Sequence, residues 1–148
     1  MTSESLFRLQ YLCQIIPGLL SKISEDDFSS KPSPGKWSKK EMLGHVIDSA
    51  TNNHHRFVRA QFEDRPTITY NADEWVEASN YQSMPTQQLI SFWHLYNQHL
   101  AELIRQQPKE IMTKECYSGY ETPRTLEWLF DDYVVHLEHH LREMVEYE

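Results

Sequence analysis

The chain carries eight histidines, and three of them stand where a helical fold could bring them to one point: His45, His136 and His140. His136 and His140 are four residues apart. On a helix that spacing sets both rings one turn apart on the same flank, so both can reach one ion. A third imidazole from another helix would complete a set of three neutral nitrogen donors. Such a set leaves coordination positions open for water or substrate, which is the pattern of catalytic metal sites rather than closed structural ones. The competing reading is plain packing. A histidine at the edge of a core is commonly a hydrogen-bonded core residue, and histidine pairs at i, i+4 occur on surface helices by chance.

Helical geometry sorts the candidates, because each residue advances about 100° around the axis. With Leu137 as the reference, Leu126, Phe130, Tyr133, Leu141 and Met144 fall within about 40° and form a core stripe. His140 lies about 60° to one side and His136 about 100° to the same side, whereas His139 lies about 160° away and faces solvent. Around Val46, the residues Met42, Leu43, Ala50 and Phe57 form a second core stripe. His45 lies about 100° to its side, on a polar seam shared with Ser49, Asn52 and Arg56. His55 points away from that core, and His54 sits on the opposite shoulder. His94 and His99 are five apart and diverge on a helix. Asp48 and Asn52 are candidates to orient metal ligands, though Asp48 also reads as a solvated helix carboxylate. Arg56 could hold an anionic substrate or make an ordinary ion pair. Cys116 is a weak candidate for a fourth ligand or a nucleophile.

Four periodic segments must position these residues. Leu6, Leu9, Leu12, Cys13, Ile16, Leu19, Leu20 and Ile23 recur at helical spacing over about 3–23, with Pro17-Gly18 expected to kink or break the helix near Ile16. Ser38 followed by Glu41 is a capping box that starts a second helix running to about residue 63, with Trp37 placed to staple onto Met42. Residues 64–84 read as a long irregular connection that Tyr70, Trp75 and Tyr81 could pin to the bundle. Pro85 opens a third helix to about residue 107. Residues 109–122 are turn-rich and could contain a short strand pair. Thr122-Pro123 reads as the cap and first position of a fourth helix. The expected fold is an all-α four-helix bundle forming a single domain over 1–148. The long second connection lets helices two and three run parallel, giving up-down-down-up. Trp75, Trp93, Tyr96 and Trp128 could line a pocket, although core packing is the plainer use of such residues.

Composition narrows the class. The 148 residues include 22 acidic and 14 basic side chains, a formal net charge of −8. That balance argues against a nucleic-acid binder, which needs a basic face, and against docking on an anionic membrane. Apolar runs are only a few residues long, so no segment reads as a membrane span. Two cysteines make no disulfide framework. The first residues lack the features of a signal peptide, and a cytoplasmic location is expected.

The segment Pro34-Gly35-Lys36-Trp37-Ser38-Lys39-Lys40-Glu41-Met42-Leu43-Gly44-His45-Val46-Ile47-Asp48-Ser49 resembles the opening of the DinB/YfiT-like superfamily, and Thr125-Leu126-Glu127-Trp128-Leu129 through His136-Leu137-Glu138-His139-His140 resembles its second half. The resemblance covers nearly the whole chain. It implies a four-helix bundle binding one divalent metal, most often zinc or nickel, through His45, His136 and His140. It does not imply one reaction. Its members include transferases and isomerases that use low-molecular-weight thiols, and others described as hydrolases. The expectation is a metal-dependent transferase acting on a small molecule with a small thiol. Its alternatives are a hydrolase with metal-activated water and a non-enzymatic metal-dependent binding module. The family also leaves a homodimer open, with no residue here that specifies one.

Overall fold

A computed structural model describes residues 2–148; Met1, the first residue of the expected domain, lies outside them. Four long helices form the body: α1 (Thr2–Ser21), α3 (Lys39–Arg59), α5 (Thr86–Arg105) and α7 (Leu126–Met144). Short helices α2 (Glu25–Ser29), α4 (Ala72–Ser79) and α6 (Lys109–Met112) lie in the connections. A two-stranded antiparallel ribbon pairs β1 (Glu115–Cys116) with β2 (Arg124–Thr125).

Side-chain pairings give the helix directions. Two hollows lie along the α1–α5 seam. One is lined by Gln10 and Cys13 together with Gln98 and Glu102, the other by Gly18 and Ser21 together with Gln87 and Ser91, so these helices are antiparallel. Lys40 Nζ donates to Met84 O just before α5, and His54 meets Tyr96 further along, so α3 and α5 are parallel. His45 meets His140 at one end of α3 and Phe57 meets Phe130 at the other, so α3 and α7 are antiparallel. The result is the expected up-down-down-up bundle. Its core includes Leu9, Leu12, Ile16, Leu43, Val46, Trp93, Leu100, Phe130 and Leu137, all fully or almost fully buried. No described helix is long and apolar enough to cross a membrane.

Several boundaries differ from the sequence expectation. α1 runs unbroken through Pro17. A proline in a helix loses one hydrogen bond, but the apolar face from Leu9 to Leu20 is buried on both sides of it and outweighs that loss. The connection 64–84 is not irregular throughout: Asn71 Oδ1 accepts from the Glu74 amide and caps α4, and Asn80, at φ 54°, ends it. The last helix starts three residues later than Thr122-Pro123 suggests. Thr125 is its cap, accepting from the Trp128 amide, while Thr122 and Pro123 belong to the turn that joins the two strands.

The start of α3 is tied down most heavily. Ser38 Oγ accepts from the Glu41 amide while a Glu41 carboxylate oxygen accepts from the Ser38 amide, completing the capping box. Ser38 also donates to Gln82 Oε1 at 2.6 Å, and Gln82 Nε2 donates to Ser29 O. Lys40 pairs with Glu25 at 2.8 Å. These bonds bind α2, the 30–38 loop and the 81–83 turn to one end of α3, and so fix Trp37 and His45. We expect Ser38→Ala to cost about 1–2 kcal/mol, read as a lower urea midpoint with unchanged slope.

Candidate metal centre

α3 presents His45 from its second turn, and α7 presents His136 and His140 from its second half. The antiparallel α3–α7 pairing brings the three rings together. The His45 ring lies 5.4 Å from that of His136 and 4.7 Å from that of His140, and His136 and His140 are 4.7 Å apart, all edge to face. One nitrogen from each falls within 4.8 Å of the others, and no other group of three such donors occurs among the described residues. His139 has a 72% exposed side chain and His55 is exposed; neither joins the cluster.

The chemistry of this donor set fits a cation. His45 is buried, and its Nδ1 has no hydrogen-bond partner. A buried nitrogen left unpaired costs about 1–3 kcal/mol, which an ion would offset. Burial, reinforced by the neighbouring histidines, pushes the pKa of both His45 and His136 down to about 4. Burial also lowers His140, against a raising contribution from Glu143. All three are therefore neutral donors at pH 7. His140 Nδ1 lies 3.1 Å from a Glu143 carboxylate oxygen, a charge contact without hydrogen-bond geometry, so this nitrogen too is buried with no hydrogen-bond partner. Trp37 packs on His45 with centroids 4.8 Å apart and planes tilted by 36°. A cleft of about 320 Å³, lined by Lys36, Trp37, Met42, Asp73, His140 and Glu143 among others, opens beside the cluster. Larger hollows of about 410 and 590 Å³ lie elsewhere and contain none of the three histidines.

Asp48, Asn52 and Arg56 brace α3. Asp48 is 2% exposed rather than solvated; Tyr81 donates to its Oδ1, and burial raises its pKa to about 6. Asn52 Nδ2 donates to Asp48 O. Arg56 makes no carboxylate pair: its Nε and Nη2 donate to Ile68 O at 3.0 and 2.8 Å, and Nη1 donates to Asn53 Oδ1. It thereby ties the 64–71 strand of chain to α3. Cys116 is buried at the ribbon, its Sγ donating to Pro66 O. Trp93 is wholly buried in the core, whereas Trp75 and Trp128 are more than a third exposed. Glu143 and Trp37 are the contributors that sequence reasoning missed at this centre. The i, i+3 spacing of His140 and Glu143 is the available signal for one; the packing of Trp37 on His45 has no local signal.

Acid should weaken the metal-free protein. A histidine whose folded pKa is about 4 against an ordinary 6.5 binds fewer protons folded than unfolded between those values. The stability tied to its neutral form is complete above pH 6.5 and is lost as the pH falls towards 4. Asp48, raised from 3.8 to about 6, acts in the opposite direction between those pH values. Two histidines oppose one carboxyl, so thermal midpoints measured between pH 7 and 4 should fall. A flat or rising profile would contradict this.

Residues 10–144 match the family model of the DinB superfamily. No curated protein matches the sequence significantly. Solved structures share the fold. YfiT from Bacillus subtilis, described as a probable metal-dependent hydrolase with an unusual four-helix bundle topology, is 18% identical with a TM-score of 0.84, covering 97% of this chain and 87% of its own. The mycothiol-dependent maleylpyruvate isomerase is 13% identical with a TM-score of 0.72; 95% of this chain matches, but only 60% of that one. A DinB-like protein of Bacillus subtilis is 19% identical with a TM-score of 0.62, covering 98% and 94%. At these identities the structural likeness establishes the bundle alone. The family match takes in the capped start of α3 and the two histidines of α7, and by it this chain belongs to the DinB superfamily.

Proposed function

We propose that His45, His136 and His140 hold one divalent metal ion, zinc or nickel, and that the chain is a metal-dependent transferase acting with a small thiol. The observation that carries this reading is the convergence of three neutral imidazoles, two of them with an orphaned buried nitrogen, at the wall of a cleft. Three histidine donors leave open positions, as catalytic sites do. When bound, the metal supplies Lewis acidity that favours a thiolate or hydroxide at neutral pH. The protein's own groups do the rest. Glu143 sets a carboxylate beside His140 Nδ1. Trp37 clamps the His45 ring and, with Met42, gives the cleft an apolar wall that excludes water. Lys36, Asp73 and Glu143 offer charges to a polar substrate at its rim. The isomerase that shares this fold is described as mycothiol-dependent, which favours a thiol in the open position.

Metal-loaded protein incubated with small thiols and an electrophile should form the thioether. Chelation or His136→Ala should lower the rate by about 100-fold or more, since loss of an outer partner alone costs 10–100-fold at metal sites. YfiT is described as a probable hydrolase, so metal-activated water is the second reading. Metal-dependent cleavage of esters or amides without thiol, and no conjugation, would replace the first reading with the second.

A further inference from the structure

Not all the remaining histidines stand apart from one another. The parallel register of α3 and α5 sets His54 beside His99, with ring centroids 5.4 Å apart and planes at 75°. His45 and His136 show the same separation in the centre described above. His54 is held in place, its Nδ1 2.8 Å from the Tyr96 hydroxyl. The Tyr96 contact engages Nδ1, so Nε2 is the nitrogen of His54 left to ligate a metal. Burial first, and then His99 and His55, lowers the pKa of His54, which keeps the ring neutral. His99 is exposed. A hollow of about 250 Å³ lined by His54, His55, Val58 and Arg59 opens beside the His54 ring.

We propose that His54 and His99 form a second, weaker and solvent-open transition-metal site, with Tyr96 as the residue that aims His54. Two imidazoles select borderline cations, Cu²⁺ above Ni²⁺ and Zn²⁺, and reject Mg²⁺ and Ca²⁺. The site lies nine residues along α3 from His45, roughly 14 Å of helix rise, on the opposite shoulder of the core stripe.

The test is a Cu²⁺ titration of untagged His45→Ala/His136→Ala protein by calorimetry, with circular dichroism to show that each variant is folded. One ion should still bind, and Mg²⁺ should not. Adding His54→Ala or His99→Ala should weaken binding by about 100-fold or more, and Tyr96→Phe by about tenfold, in line with the cost of losing an orienting partner. His55→Ala should leave it unchanged. Absence of binding in the double variant, or binding unmoved by His99→Ala, overturns the proposal. Failure of the three-histidine reading would look different: the unsubstituted protein would bind one ion that His54→Ala removes and His45→Ala does not.

Discussion

His45→Ala protein, and equally His136→Ala and His140→Ala, should purify folded but without its tightly held metal, while His139→Ala keeps about one ion per chain. Removing one of three protein donors should weaken binding by more than about 100-fold, because removing even an outer hydrogen-bond partner costs 10–100-fold. Glu143→Gln, which weakens the carboxylate contact to His140 Nδ1, should fall in that lower range. The fold should tolerate His45→Ala: the packing lost against Trp37 is offset by removal of a buried nitrogen that has no partner. Thermal shift separates the two effects. At free metal 100-fold above the dissociation constant, binding stabilises by about 2.7 kcal/mol, which raises the midpoint of a chain this size by about 5–10 °C. The unsubstituted protein and His139→Ala should show that rise and the three alanine variants should not. Elemental analysis after dialysis, which removes weakly held ions, gives the stoichiometry. Full metal content in any of the three variants would sink the centre.

The three histidines were legible in the sequence because helical angles are local. His136 and His140 share a flank of α7 whatever the rest of the chain does, and the Ser38–Glu41 box places the start of α3 to the residue. Contacts across the bundle were not legible. His54 and His99 sit on unremarkable shoulders of separate helices, and they meet only because α3 and α5 are parallel in one register. Asp48 reads as a surface carboxylate until Tyr81, in a connection that looks irregular, covers it. Pro17 shows the opposite limit. Its local preference is to interrupt a helix, and the buried faces on either side of it override that preference. Thr122-Pro123 offered a fair cap, but the ribbon pairing of Arg124 with Cys116 holds the chain extended until Thr125 takes that role.

Two helix glycines should respond to alanine with opposite signs. Gly18 in α1 has no heavy atom within 4 Å of the position a Cβ would take. Gly18→Ala should therefore gain about 0.5–1 kcal/mol from reduced chain entropy alone. Gly44 in α3 is pressed against the face of Tyr81, and a Cβ there would overlap three ring carbons. Tyr81 is 6% exposed, and it cannot back away without withdrawing its hydroxyl from Asp48, whose other carboxylate oxygen already lacks a partner. Overpacking of this kind costs about 1–3 kcal/mol, and a buried carboxyl stripped of its donor costs about 1–3 kcal/mol more. Against a helix-propensity gain of at most about 1 kcal/mol, Gly44→Ala should destabilise by about 2–4 kcal/mol in denaturant titrations. The cause can be isolated, because residues in direct contact do not contribute additively. In a Tyr81→Ala background the ring is gone, and Gly44→Ala should become neutral or mildly stabilising. If it costs as much there as in the unsubstituted protein, the close approach of Tyr81 to α3 is not what requires glycine one position before His45.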